Sequence, residues 1–204
     1  MSDRDRLLKF EDKKLITYCL TNRNNKTCKD ENFWKQRFSD KYGSSALQYK
    51  SPKKTWKTFY LQTVYYFSQV PLSASVAFHK PIDKILAYAV KDGQKDLINF
   101  FISRGAKNWD LALEGAALRG DIELINYFIA KGANEWGIAL VAAASEGHFN
   151  LVKFFLSKGV RLEELADAIN YAENYPEIVT YLQSKYDQVA KLVNYNEDAI
   201  VGVH

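Results

Sequence analysis

The chain has 204 residues, of which 47% are hydrophobic and 25% charged. That balance is globular and excludes a disordered or fibrous chain. No apolar run reaches the roughly 20 residues a membrane span needs, and the opening MSDRDRLLKFEDKKL is too charged for a secretory signal.

The net charge of +4 hides a step: residues 1–80 carry 16 Lys+Arg against 7 Asp+Glu, and residues 81–204 carry 12 against 17. A step of this size points to two units with different surfaces. The two cysteines, Cys19 and Cys28, do not make a disulfide framework. Their separation of nine, with few histidines, fits no structural zinc pattern. The expectation is an intracellular protein of a reducing compartment, with no metal and no cofactor.

In residues 1–70, Leu15, Ile16, Cys19 and Leu20 fall at helical spacing. After a polar break at Asn22–Asn25, the residues Cys28, Phe33, Trp34 and Phe38 continue an apolar face. Trp56, Phe59, Tyr60, Val64 and Phe67 form another. The pattern predicts three or four short helices packed on aromatic rings. Lys50, Lys53, Lys54 and Lys57 lie beside Tyr49, Trp56 and Tyr60, a mixture that suits nucleic acid. The same residues also read as a solvated helix face with its rings turned inward. The opposite charges of the two halves further suggest docking within one chain, or a homo-oligomer. Residues 71–81 read as a linker.

Residues 82–186 contain a repeat. Gly93, Gly120 and Gly147 are 27 apart, as are Gly105, Gly132 and Gly159. The segments GQKDLINFFISRGA, GDIELINYFIAKGA and GHFNLVKFFLSKGV match between them, and NYPEIVTYLQSKYD is a fourth copy with Asn174 and Tyr186 in the glycine slots. Leu97, Ile98, Phe101 and Ile102 recur as Leu124, Ile125, Phe128 and Ile129, then as Leu151, Val152, Phe155 and Leu156. These offsets place them on one helical face, widened by Phe100, Tyr127, Phe154 and Tyr181. Asp121 suits an N-cap and Pro176 a first helical turn. The preceding segment of each copy is a short, small-sided helix, with Ala89, Ala116 and Ala143 in one slot. One such pair cannot bury its own apolar face; stacked pairs can, and the product is a solenoid. Residues 187–204 read as a C-terminal cap and tail, without helical pattern from Asn194 onward.

These marks, AA..G at Ala116, Ala117 and Gly120 and A..EGH at Ala143, Glu146, Gly147 and His148, resemble ankyrin repeats. The repeat is 27 residues long where the family's is about 33, and the Thr-Pro-Leu-His tetrapeptide is missing. The loss falls most economically in the hairpin finger between repeats. The string LTNRNNKTCKDENFW resembles the second half of an F-box, with Asp12, Leu15, Cys19, Leu20, Thr21, Asn22, Cys28, Asp30, Phe33 and Trp34 on the motif. That resemblance implies binding to the adaptor subunit of a cullin–RING ubiquitin ligase, through Leu7, Leu8, Leu15 and Leu20. No proline precedes Leu7 and the first helix is short, so the alternative is that the unit only caps the solenoid. The combination is similar to proteins abundant in giant DNA viruses of protists, which implies a host cytoplasmic or nuclear setting.

No nucleophile–base pair, phosphate loop or metal spacing accompanies His79, His148 and His204. The expected fold class is all-α, an F-box-like helical unit followed by four short ankyrin-type repeats. The expected function is a non-enzymatic protein-interaction module. Its target would lie on the concave face at Asn108, Trp109, Glu114, Arg119, Glu135, Trp136 and Glu146. No membrane partner is expected.

Overall fold

The computed structural model describes residues 2–69 and 81–201, with backbone alone for Pro81 and for 192–201. The predicted linker 71–81 therefore lies almost wholly outside the described residues, as do His79 and His204. Every element among the described residues is helical. The chain divides into two compact units, Met1–Ala89 with Gln94–Ala106, and Val90–Gly93 with Lys107–His204.

The first unit opens with α1 (Asp3–Leu8), whose start is closed by a capping box between Ser2 and Asp5. It continues through α2 (Asp12–Thr21), α3 (Lys26–Lys29), α4 (Glu31–Tyr42), a 3-10 turn (Ser44–Tyr49) and α5 (Trp56–Ser68). The helix α6 (Pro81–Lys91) follows, contributing its residues up to Ala89, and α7 (Lys95–Ser103) is the last helix of the unit. The aromatic spacing produces the expected core: Phe33, Trp34, Phe38, Phe59 and Tyr60 are all fully buried. Trp34 satisfies its indole by donating Nε1–H to the Cys28 carbonyl at 3.1 Å, as a buried tryptophan must. Leu20, expected on the apolar face, is 59% exposed.

The cysteines depart from expectation. Cys19 on α2 and Cys28 on α3 are joined by a disulfide, with Cα atoms 5.5 Å apart. The polar break at Asn22–Asn25 is the reason. It folds the chain back, and Asn25 caps α3 through a bond from the Cys28 amide, so a separation of nine in sequence becomes contact.

A polar cluster ties the loop before α2 to α4. Arg37 donates Nε–H to the Tyr60 hydroxyl at 3.0 Å and Nη2–H to Asp12 at 3.1 Å, and reaches the carbonyls of Leu8 and Phe10. Asp12 also accepts from Lys41 and Tyr60. Burial works to raise the Asp12 carboxyl, but the bonds from Lys41 and Tyr60, with Arg37, outweigh it and hold the group below its usual range.

Phe100 on α7 meets Phe38 at 5.5 Å and Tyr42 at 5.4 Å between ring centres. It is fully buried, whereas Tyr127 in the same slot of the next repeat is 39% exposed. One repeat position therefore has two environments, because the second helix of the first copy packs into the aromatic core of the N-terminal helices.

The second unit contains α8 (Trp109–Arg119), α9 (Ile122–Ala130), α10 (Trp136–Ser145), α11 (Phe149–Leu156), α12 (Leu162–Tyr171) and α13 (Pro176–Val201). The alternation of small-sided first helices and apolar-striped second helices is as the repeat predicts. Ala112, Ala116, Ala117, Ala139, Ala143 and Ala144 are fully buried along α8 and α10, so these helices approach closely. Asp121 caps α9 by accepting from the Leu124 amide at 3.1 Å, and Pro176 begins α13. The tail corrects one expectation, since α13 runs on to Val201. No glycine or proline interrupts residues 177–201, so nothing stops the backbone ladder once it has started.

Consecutive copies are also locked at their glycines. Gly120 has φ 75°, and a β-carbon there would lie 2.7 Å from the His148 ring. His148 Nε2 lies 3.1 Å from the Leu118 carbonyl. Gly147 repeats the arrangement under Tyr175, with a β-carbon 2.3 Å from the ring. A left-handed backbone and a ring laid flat on it both require glycine.

Two expectations follow. Phe100→Ala lowers the unfolding free energy by about 3–5 kcal/mol, while Tyr127→Ala changes it by less than about 1 kcal/mol; chemical denaturation of the two variants measures both. Asp12→Asn costs about 2 kcal/mol at pH 7. The Asp12 carboxyl is lowered in the folded state, so its contribution is present above the ordinary aspartate value of 3.8 and disappears as pH falls through the folded value. The difference between Asp12→Asn and the parent should accordingly shrink in melts below that window.

Candidate interaction surface

The outward faces of α8, α10 and α12 line a groove of about 440 Å³ in the second unit. Its walls recur at helical spacing: Glu114 and Leu118 on α8, Ile138, Val141 and Ser145 on α10, and Glu164, Asp167 and Tyr171 on α12. Each set steps by three or four, which places its members on one stripe of each helix. The opposite stripes are the buried alanines, so the groove is the face that packing leaves over.

Apolar surface in the groove is open. Ile138 is 44% exposed and Tyr171 63%. Glu164 is held by Arg161 through the backbone N–H at 2.8 Å, Nε at 3.1 Å and Nη2 at 2.7 Å. Its carboxyl lies on the backbone of α10, where a β-carbon on Gly137 would stand 2.0 Å from Cδ. That hydrogen bond to Arg161 outweighs burial and lowers the Glu164 carboxyl. Glu114 differs. It is half-buried, and burial raises its carboxyl against the opposing pull of the Lys91 charge.

Of the seven residues expected on the target face, Glu114 alone lines the groove. Asn108 is not an exposed loop residue: it caps α8, accepting from the Leu111 amide at 3.0 Å. Trp109 and Trp136 are the first residues of α8 and α10 rather than loop residues. Both are half-buried, and Trp109 stacks on Phe128 at 6.3 Å. Arg119 lies across Gly93 and donates to the Lys91 carbonyl at 3.3 Å. Glu135 and Glu146 are exposed at the two ends of α10. Asp110, not singled out from sequence, accepts from the Asn134 and Glu135 amides at 2.8 and 3.0 Å. It thereby holds the short loop that stands where a longer repeat has its finger. The signal for the groove was present as the stripe 138, 141, 145 on α10, opposite the alanine face.

In the first unit, Leu7 and Leu15 are fully buried and Leu8 is half-buried. Leu7 and Leu15 are therefore core residues and offer no apolar surface to an adaptor, which corrects the expectation placed on them. The lysine set is also largely engaged. Lys50 bonds the Ser51 and Lys54 carbonyls at 2.9 and 2.6 Å. Lys54 reaches Gln94 and the buried Asp96, both at 2.8 Å. Lys57 lies 5.8 Å from the Trp34 ring centre, and Lys53 is exposed. Among the described residues no cluster of His, Cys, Asp and Glu could hold a metal, and no helix is long and apolar enough to cross a membrane.

The stacked helix pairs and the open groove along them define a helical-repeat interaction protein. Residues 86–192 match the family model described as ankyrin repeats in three copies, and the chain belongs to the ankyrin-repeat family. No curated protein and no solved structure matches it.

The raised Glu114 carboxyl has a stability consequence. Its favourable contribution is full below the ordinary glutamate value of 4.5 and is lost as pH rises through the folded value. Glu114→Gln should therefore raise the melting temperature at pH 7 and leave it close to the parent at pH 4, as read by scanning calorimetry.

Proposed function

We propose that this chain is a non-enzymatic binding module whose ankyrin repeats hold a protein partner along the α8–α10–α12 groove. The observation that carries the reading is Ile138. It is an apolar side chain left 44% exposed at the centre of the groove, while its helix neighbours Ala139 and Leu140 are fully buried between repeats. Exposed apolar surface framed by polar groups is the usual mark of a protein interface. Multiple repeats supply such a face without chemistry of their own.

Recruitment of a ubiquitin-ligase adaptor by the N-terminal unit is the finer form of this reading. Its support is the motif resemblance and the 59% exposure of Leu20, so an adaptor contact would run through Leu20 rather than Leu7 or Leu15. A role of that unit as a cap, and self-association through opposite charges, are the competing forms.

The test is photocrosslinking in the source cells, with a benzophenone side chain placed at Ile138 or at Ile122. Ile122 on α9 is 61% exposed and lies outside the groove. Discrete protein adducts from position 138, absent from position 122, are expected. Equal labelling from both would overturn the reading.

A further inference from the structure

The lysines at positions 50–57 flank a serine. Of the four prolines in the chain, Pro52 alone follows a serine or threonine, and the local sequence is Ser51-Pro52-Lys53-Lys54. The segment is a tight turn between the 3-10 turn and α5. The Lys54 amide donates to the Ser51 carbonyl at 3.1 Å, which puts Pro52 at the second turn position, where its fixed φ fits. Pro52, Lys53 and Thr55 are exposed. Ser51 Oγ accepts from the Lys53 amide at 3.2 Å, and among the described residues its own proton is donated to nothing.

Two features of this turn are ones a protein kinase can read. Pro52 has no N–H. A kinase cleft with no acceptor beside the residue after the target serine strands the amide of any other residue there, and takes proline without that loss. A lysine three places after the serine suits an acidic pocket, since kinases select substrates by charge pattern. Lys54 is that lysine, and it is occupied. Its Nζ holds Gln94 and Asp96, both at 2.8 Å. Asp96 in this role belongs to the first copy alone. The same slot holds Glu123, Asn150 and Glu177 in the others, all exposed, whereas Asp96 is buried. A carboxylate buried in this way depends on its cation.

We propose that Ser51 is the acceptor of a proline-directed serine/threonine kinase, and that the Lys54–Asp96 pair latches the site. The site lies in the first unit and is independent of the groove. The transferred group is the γ-phosphoryl of ATP. A bond forms from Ser51 Oγ to that phosphorus, the bond from the phosphorus to the β–γ bridging oxygen breaks, ADP leaves, and the serine proton passes to the kinase's catalytic carboxylate. The phosphate then brings strong acceptor oxygens into a turn that holds Lys50, Lys53 and Lys54. Lys50 already lies against the turn through the Ser51 and Lys54 carbonyls. Lys54 is drawn off Asp96, and the buried carboxylate left behind loosens α7. Conversely, whatever frees Lys54 presents it to the kinase.

The experiment treats the full chain with magnesium ATP and a proline-directed kinase that prefers a basic residue three places after the serine. Phosphate is located by mass spectrometry, and initial rates are taken at low substrate. One phosphate is expected, on Ser51. Pro52→Ala should lower the rate at least about tenfold, the usual effect of emptying an apolar pocket. Asp96→Asn should raise it at least about fivefold, the low end of a coupling between sites. Adding Lys54→Met to Asp96→Asn should return the rate to the parent value or below, because both proteins lack the ion pair and differ only in the lysine. Phosphorylation should lower the melting temperature of the parent by about 2–4 °C and leave that of Asp96→Asn unchanged.

No phosphate on Ser51, or equal rates for the parent and Pro52→Ala, would overturn the assignment of the site. A rate indifferent to Asp96→Asn would overturn the latch. So would a rise that survives Lys54→Met, since general loosening of the helices would then explain it.

Discussion

The close approach of α8, α10 and α12 is the constraint on which the repeat unit depends. A helix pair of this length has no independent core, so each copy is stable only where its neighbours cover it. Alanines on the facing sides permit that cover, and Gly120 and Gly147 admit the rings of His148 and Tyr175 from the following copy. With the facing sides restricted to small residues, chemical variety is pushed to the remaining stripe. The groove is a by-product of that division.

The shortened repeat finds other means to hold its loops. Asp110 accepts two amides from the loop that leads into α10, and the tryptophans begin helices where a finger would otherwise stand. In the third repeat the corresponding position is Gly137, and the carboxylate that covers it, Glu164, comes from the fourth. One slot thus serves as a loop clamp in one copy and as a gap in the next. Repetition fixes the backbone there and leaves the side chain free to be used differently.

Much of the fold was legible because burial imposes period. The spacing of Trp56, Phe59, Tyr60 and Phe67 identified α5, and the 27-residue recurrence identified the helix pairs. The groove proposed as the binding face was less legible. Glu114 lines it, while Asn108 and Arg119 proved to be a cap and a cover for backbone. A polar residue beside a helix end looks the same in sequence whether its side chain faces solvent or bonds its own chain. Beyond the stripe 138, 141, 145 on α10, the groove lining carries no compositional mark, because nothing in the folding of the repeat dictates it.

The sequence by itself determined an all-α chain, the repeat length, the caps at Asp121 and Pro176, and the aromatic character of the N-terminal core. These are local or periodic properties, set by φ, by hydrogen bonding within one helix and by the rhythm of apolar residues. Tertiary structure alone decided that Cys19 meets Cys28, that Leu7 and Leu15 are core, that Phe100 is buried where Tyr127 is not, and that Glu114 and Gly137 line one groove. Each depends on which distant segment arrives opposite a residue, and periodicity carries no information about that.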